Sequence, residues 1–170
     1  MKTLRTGLIL AAAIILSACG FKPMHAPTAF GGPGNGNGVS MKNITVQMQA
    51  NEKIDFLLAQ ALRDRMGDNR ATSYILRITP ESDRRSLGIG ADDVATRYDL
   101  VMKTEFELVD AKTADIVYRG EVRAISTYGA PIDPYGTVAA QANAEEQVSR
   151  ETADRIIAKL AGYQARSASK

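Results

Sequence analysis

The sequence is poor in the residues on which most metal and redox chemistry depends. It has one cysteine, one histidine and no tryptophan among 170 residues. A single cysteine cannot form an internal disulfide, and one histidine cannot supply the ligands of most zinc sites. The formal charge is only +2, which argues against a strongly basic nucleic-acid-binding protein. Hydrophobic residues make up 45% of the chain, which is enough to build a core and excludes disorder throughout.

The sequence also lacks an apolar run long enough to span a membrane. Its longest run, Leu8–Leu16, is about half of the roughly 20 residues that a spanning helix needs. Lys2 and Arg5 precede it, so residues 1–18 are predicted to be a secretory signal peptide. Two of the 21 basic residues would be removed with this peptide, so the basic residues of the mature chain balance its 19 acidic ones.

The one cysteine stands directly after this segment. Leu16-Ser17-Ala18-Cys19 resembles the bacterial lipobox, in which the cysteine thiol receives a diacylglycerol and the amine, freed by cleavage, receives another acyl chain. This resemblance predicts S-diacylglycerol and N-palmitoyl groups on Cys19. Two or more acyl chains are enough to hold a protein stably on a membrane. Gly20 follows, where aspartate is typical of inner-membrane retention, so an outer-membrane location is expected. The alternative is an ordinary signal peptide with a chance cysteine.

Residues 19–38 have the composition of a flexible tether. Glycine and asparagine dominate residues 31–38, and this composition cannot bury apolar surface. A phosphate-binding loop would need a following Gly-Lys-Ser/Thr and a preceding strand, and the sequence has neither here. The only histidine, His25, falls in this tether, so a Ser-His-Asp triad is not expected.

Residues 39–162 carry the periodicities of one folded domain. Alternating apolar residues predict strands over 39–49, 74–79, 97–109 and 115–128. Helical spacing predicts helices over 51–66 and 137–161. We expect Asn51 to cap the first helix, Pro80 to end the second strand, residues 81–96 to form a long connection, and residues 163–170 to form a frayed tail.

The order β-α-β-β-β-α predicts an α+β fold. In this two-layer sandwich, two helices cover one face of a four-stranded, mostly antiparallel sheet. The other face is polar without a strong charge of one sign, and it is free for water, a partner or a ligand. Glu105 or Glu107 could pair across strands with Arg119 or Arg123 in a hairpin.

Two segments resemble the LptE family of lipopolysaccharide-assembly lipoproteins, in its alphaproteobacterial form. Cys19–Met24 is similar to the family's Cys-Gly-Phe-x-Pro-Leu start, and Tyr128–Leu160 is similar to its C-terminal segment. The resemblance implies a non-enzymatic protein without a cofactor, lipid-anchored on the periplasmic side of the outer membrane. Its body would plug the lumen of the LptD β-barrel as a heterodimer, support barrel assembly and help deliver lipopolysaccharide to the outer leaflet. The residues alone leave open an auxiliary lipoprotein of an ABC transporter or a secretion pilotin.

Basic side chains are the candidates for binding the phosphates of lipopolysaccharide. The guanidinium group of arginine can donate two parallel hydrogen bonds to one phosphate group. The candidates are Arg84, Arg85, Arg97 and Lys103. The alternative is that these charges only keep a loop solvated.

Apolar and aromatic residues near two turns are the candidates for partner contact. They are Leu87, Ile89, Tyr128 and Tyr135. The alternatives are a flexible hairpin tip for the first two and a rigid turn that aims the last helix for the tyrosines. Asp92 and Asp93 are adjacent carboxylates without further ligands, so no metal site is expected there.

Overall fold

The computed structural model describes residues 43–67, 72–89, 95–131 and 133–167. In chain order the elements are β1 (Ile44–Met48), α1 (Lys53–Met66), β2 (Tyr74–Ile89), β3 (Ala95–Asp110), β4 (Ile116–Gly129) and α2 (Pro134–Ser167). The predictions for the signal peptide, the tether, Cys19 and His25 fall outside the described residues, as do those for Asp92 and Asp93.

The four strands form one sheet in the order β1-β2-β3-β4. β1 and β2 are parallel, because α1 connects them as a crossover, while β2, β3 and β4 are antiparallel neighbours. The predicted α+β fold with a mostly antiparallel four-stranded sheet is therefore confirmed.

Both helices lie on one face of this sheet and bury its alternating apolar side chains. α2 packs mainly on β4, and α1 packs on α2 and β1. The fully buried large side chains of this core include Leu58, Leu62, Leu76, Met102, Phe106, Leu108, Val148, Ile156 and Leu160. Neither helix in the described ranges combines the length and the apolarity of a membrane span.

The prediction that Pro80 ends the second strand, and that 81–96 is a connection, is wrong. β2 continues through Pro80 to Ile89, and β3 already begins at Ala95. Proline lacks an N–H group and is tolerated in a strand where no neighbour needs that donor. Such a place exists here because β1 ends at the pair Met48–Ile78, so that side of β2 has no partner strand from Pro80 onwards.

The helix boundaries also differ from the sequence prediction. Glu52, not Asn51, is the N-cap of α1, because the Asp55 carboxylate accepts the backbone N–H groups of both Asn51 and Glu52. α2 starts at Pro134 rather than Thr137, since proline suits the first helical position.

The C-terminal end of α2 extends to Ser167, into the segment expected to be frayed. Gly162 does not end the helix. The ring of Tyr163, the next residue, stacks on Tyr118 of β4 with centroids 4.7 Å apart. This contact holds the last turns of α2 against the sheet.

Candidate functional site

The sheet face that lies opposite the helices, called the open face below, is lined mainly by polar and charged side chains. Odd-numbered residues of β2, β3 and β4 project from it, and the registers place them in rows across the three strands. Basic and acidic residues are equal in number: Arg77, Arg85, Arg97, Lys103, Arg119 and Arg123 against Glu81, Asp83, Asp99, Glu105, Glu107 and Glu121. The open face is thus highly charged but neutral in sum.

One row of the open face has alternating charge. Glu107 of β3 lies between Arg77 of β2 and Arg119 of β4 in the registers. Its Oε1 atom is 2.9 Å from the Nε atom of Arg119. The predicted cross-strand pair between Glu107 and Arg119 is confirmed, and it supports the β3–β4 hairpin.

The next two rows place like charges opposite each other. Glu105 faces Glu121, and Lys103 faces Arg123. Directly opposed like charges are unfavourable. Lys103 compensates in part, because its Nζ atom is 3.5 Å from Glu105 Oε1 and 3.8 Å from Glu121 Oε2. Arg123 has no ion pair among the described residues, whereas Lys103 also has Glu81 of β2 opposite it in the register.

Three of the four predicted phosphate ligands lie on the open face. Arg85 is opposite Asp99, and Arg97 is two residues from Asp99 on the same side of β3, so the two arginines are diagonal neighbours. The Arg85 Nε atom is 2.7 Å from Asp83 Oδ2. Lys103 is six residues further along β3 than Arg97, which is roughly 20 Å at the rise of a strand. The structure thus places Arg85 and Arg97 on one face, both next to Asp99 and with a register shift between them, and leaves Lys103 apart.

Arg84 lies on the other face of the sheet. Its guanidinium carbon is 5.2 Å from the centroid of the Tyr98 ring, a cation–π distance. Tyr98 in turn stacks on Tyr128, with centroids 5.5 Å apart. Because consecutive residues of a strand point to opposite faces, Arg84 and Arg85 cannot form one phosphate clamp.

The predicted partner-contact residues differ widely in exposure. Leu87 is 54% exposed and Tyr135 is 86% exposed, whereas Tyr128 is buried with 7% exposed. Tyr128 belongs to β4 and packs inside the domain. Ile89 ends β2, and its side chain is outside the described set.

Hydrogen bonds on both sides of Tyr135 fix the backbone at the start of α2. The Asp133 Oδ2 atom accepts the N–H of Gly136 at 2.8 Å, and the Thr137 hydroxyl donates to the Pro131 carbonyl at 2.9 Å. Val138, one helical turn after Tyr135, is also largely exposed, and the sequence reasoning missed it. The i, i+3 spacing after Asp133-Pro134 could have revealed this pair.

A second polar cluster links the two helices. Lys53 Nζ of α1 donates to Glu145 Oε2 of α2 at 2.9 Å, and Gln141 Nε2 donates to Glu145 Oε1, also at 2.9 Å. Burial raises the pKa of Glu145, but the hydrogen bonds from Gln141 and Lys53 outweigh it and hold that pKa below its usual range. Within the described ranges, no three His, Cys, Asp or Glu residues cluster as metal ligands would.

A family model described as LptE, lipopolysaccharide assembly, matches residues 41–160. Comparison with curated protein sequences gives no match. A crystal structure from Caulobacter crescentus CB15, of a protein provisionally described as a lipoprotein, is 29% identical; the match covers 74% of this chain and 92% of that one, with a TM-score of 0.61.

Two further crystal structures share the fold at lower identity. The rare lipoprotein B of Shewanella oneidensis is 17% identical, with a TM-score of 0.52 over 72% of this chain and 96% of that one. A minor lipoprotein of Acinetobacter baumannii is 14% identical, with a TM-score of 0.55 over 74% of this chain and 94% of that one.

Proposed function

The chain belongs to the LptE family of lipopolysaccharide-assembly proteins, and we propose that it plugs an LptD-like outer-membrane β-barrel as a heterodimer. In this role it supports assembly of the barrel and helps deliver lipopolysaccharide to the outer leaflet. The observation that carries the proposal is the family match over residues 41–160, which spans all four strands, α1 and most of α2. The role is binding and assembly, without catalysis or a cofactor.

The open face supports this role physically. The interior of an outer-membrane barrel is polar. A neutral surface of interspersed charges suits such a wall, because it can form local hydrogen bonds and ion pairs without net repulsion. Leu87 and Tyr135 are exposed anchors that would contact the partner, whereas Tyr128 is buried against Tyr98.

Lipid groups on Cys19 would hold the protein in the periplasmic leaflet of the outer membrane, with the body in the barrel lumen. Residues 20–42 then connect the lipid to β1. The proposal assigns S-diacylglycerol and N-palmitoyl groups to Cys19, which mass spectrometry of the purified lipoprotein can detect directly.

Co-purification tests the proposed partner. The tagged lipoprotein should recover a large β-barrel together with lipopolysaccharide. Tyr135→Ser should lower this recovery, whereas the matched variant Tyr135→Phe, which keeps the ring, should not. Recovery of an ABC-transporter or secretin subunit in place of a barrel would contradict the proposal and favour the auxiliary or pilotin role.

Direct lipopolysaccharide binding is proposed to depend on the neighbouring pair Arg85 and Arg97. Replacing both with alanine should weaken binding of purified lipopolysaccharide, because two guanidinium groups that can reach one phosphate are lost. Arg84→Ala and Lys103→Ala are the matched controls, since these residues lie on the other face and further along β3. Unchanged binding in the double variant, or an equal loss in a control, would contradict this assignment.

A further inference from the structure

β4 is an edge strand with a long unpaired side. It runs from Ile116 to Gly129, and its only neighbour in the described sheet is β3. The register with β3 is regular from Tyr118 to Gly129. An edge of this length is a template for pairing with another chain. The other long edge, on β2 beyond Ile78, carries Pro80, which cannot donate to an added strand.

The structure identifies which residues of β4 present their backbone groups outward. Asp110 N donates to Asp115 O on the β4 side, so even-numbered residues of β3, Thr104 among them, direct their backbone groups towards β4. Thr104 is paired with Val122, so Val122 faces β3 and its neighbours Glu121 and Arg123 face outward. A side-chain bond agrees, since the Arg155 Nη1 atom donates to the Arg123 carbonyl at 2.6 Å.

The charges along this edge are self-complementary. In an antiparallel pair of two β4 strands with Val122 on the two-fold axis, Glu121 of each copy stands opposite Arg123 of the other. Arg119 of each copy then stands opposite Ile125 of the other, within the part of β4 whose register with β3 is regular. All these residues are odd-numbered, so the pairing uses the backbone groups that face outward.

The same pairing would offset two pairs of like charges that lie directly opposite each other within one chain. Glu121 faces Glu105, and Arg123 faces Lys103. A second copy would add an arginine beside each glutamate pair and a glutamate beside each Lys–Arg pair. We propose that two copies of this protein associate through β4, antiparallel about Val122, to form a continuous eight-stranded sheet.

One contact competes with this association. Arg155 occupies the Arg123 carbonyl, and it is also held by Glu151, with Nη2 2.6 Å from Oε1. Its guanidinium must leave the edge before a second strand can pair there. Arg155→Ala should therefore favour the dimer. Arg150→Ala is the matched control, since Arg150 bonds Glu146 on the same helix and has no described contact with β4.

Charge reversal tests the proposed register. The full-length lipoprotein, purified in detergent without the barrel, should have the mass of a dimer by light scattering on a sizing column. Glu121→Arg and Arg123→Glu should each shift it to the monomer, and the double variant E121R/R123E should restore the dimer. Arg119→Glu should leave the dimer intact, because Arg119 stands opposite Ile125 in this register. Circular dichroism confirms that each variant is folded.

Amide hydrogen exchange gives a second readout. In the dimer the outward N–H groups of Glu121, Arg123 and Ile125 should exchange more slowly than in the monomeric variants, while the N–H groups that already face β3 should not change. A folded native protein that is monomeric at every concentration would overturn the proposal. So would a dimer that is insensitive to both single reversals, or one that leaves the outward amides unprotected.

Discussion

Two buried threonines differ in what their hydroxyl groups contact. Thr104 in β3 and Thr152 in α2 are both 0% exposed. The Thr152 hydroxyl donates to the Val148 carbonyl at 2.7 Å, whereas the Thr104 hydroxyl has no hydrogen-bond partner among the described residues. A buried polar group without a partner costs about 1–3 kcal/mol. Thr104 is therefore a place where the core loses free energy of folding.

We expect Thr104→Val to raise the free energy of unfolding by about 1–3 kcal/mol, because valine has nearly the same shape and no hydroxyl to desolvate. Thr152→Val is the control and should give no gain, since it gives up an existing bond with a net worth of about 0.5–1.5 kcal/mol. Urea unfolding followed by circular dichroism measures both. Lower stability in Thr104→Val would mean that the hydroxyl is bonded, for instance to a buried water.

Gly120 in β4 is required by the ring of Phe106. A Cβ atom at position 120 would be 2.5 Å from the Phe106 Cζ atom, and Phe106 is itself part of the core. We expect Gly120→Ala to lower the free energy of unfolding by about 1–3 kcal/mol, since overpacking displaces a buried ring. Urea unfolding measures the change.

Gly162 in α2 is the matched control for this substitution. The nearest atom to an added Cβ there is Arg166 Nη1 at 3.5 Å, an ordinary contact. Gly162→Ala should raise stability by about 0.5–1 kcal/mol, because alanine loses less backbone entropy in a helix. Equal effects at positions 120 and 162 would argue against a steric role of Phe106.

At the scale of elements, Lys53 and Glu145 tie the start of α1 to α2. The pKa of Glu145 is lowered, because hydrogen bonds from Gln141 and Lys53 outweigh its burial. A carboxyl with a lower pKa in the folded state stabilises the fold at pH values above its unfolded pKa. That contribution is lost as the pH falls through the folded pKa.

We therefore expect the stability difference between the native protein and Glu145→Gln to be constant near neutral pH and to close in acid, below the usual range of glutamate. Lys53→Met removes one donor and should move this loss to higher pH. Unfolding measured across a pH series compares the three proteins. A difference that persists unchanged in acid would show that the Glu145 charge does not link the helices.

The periodicity of the sequence predicted some elements well. β3 and β4 largely alternate between apolar and polar residues, and their pairing followed from the turn at Asp110 and the complementary Glu107 and Arg119. β2 was predicted too short because Pro80 is normally a strand terminator. Whether proline is tolerated depends on where β1 stops, and this is a long-range property that local sequence does not contain.

The wrong end predicted for β2 also affected the prediction of the candidate site. In a loop, Arg84 and Arg85 could point the same way and bind one phosphate. In a strand they point to opposite faces, and Arg85 instead joins Arg97 from the next strand. Residue types therefore indicated the chemistry of the site, but the grouping of the residues depended on the extent of β2. The burial of Tyr128 against Tyr98 could not be predicted from the sequence either, because it depends on the register between β3 and β4.

At the scale of the whole molecule, the net charge of the chain beyond residue 18 provides no attraction to an anionic membrane. Beyond residue 18 the basic and acidic side chains are balanced, and the open face repeats this balance within the folded domain. Basic segments near an anionic membrane surface contribute about 1 kcal/mol of attraction per Lys or Arg. A neutral body lacks this attraction, so the proposed anchoring at a bilayer would depend on the lipid groups proposed at Cys19.

We expect the mature chain with Cys19→Ser to bind neither neutral nor anionic vesicles, while the lipidated protein binds both. Each buried CH₂ group contributes about 0.8 kcal/mol, so losing two or more acyl chains removes nearly all of the membrane affinity. Vesicle sedimentation measures the bound fraction. Binding of the serine variant to anionic vesicles alone, reversed by salt, would instead reveal a basic surface that the balanced charges do not predict.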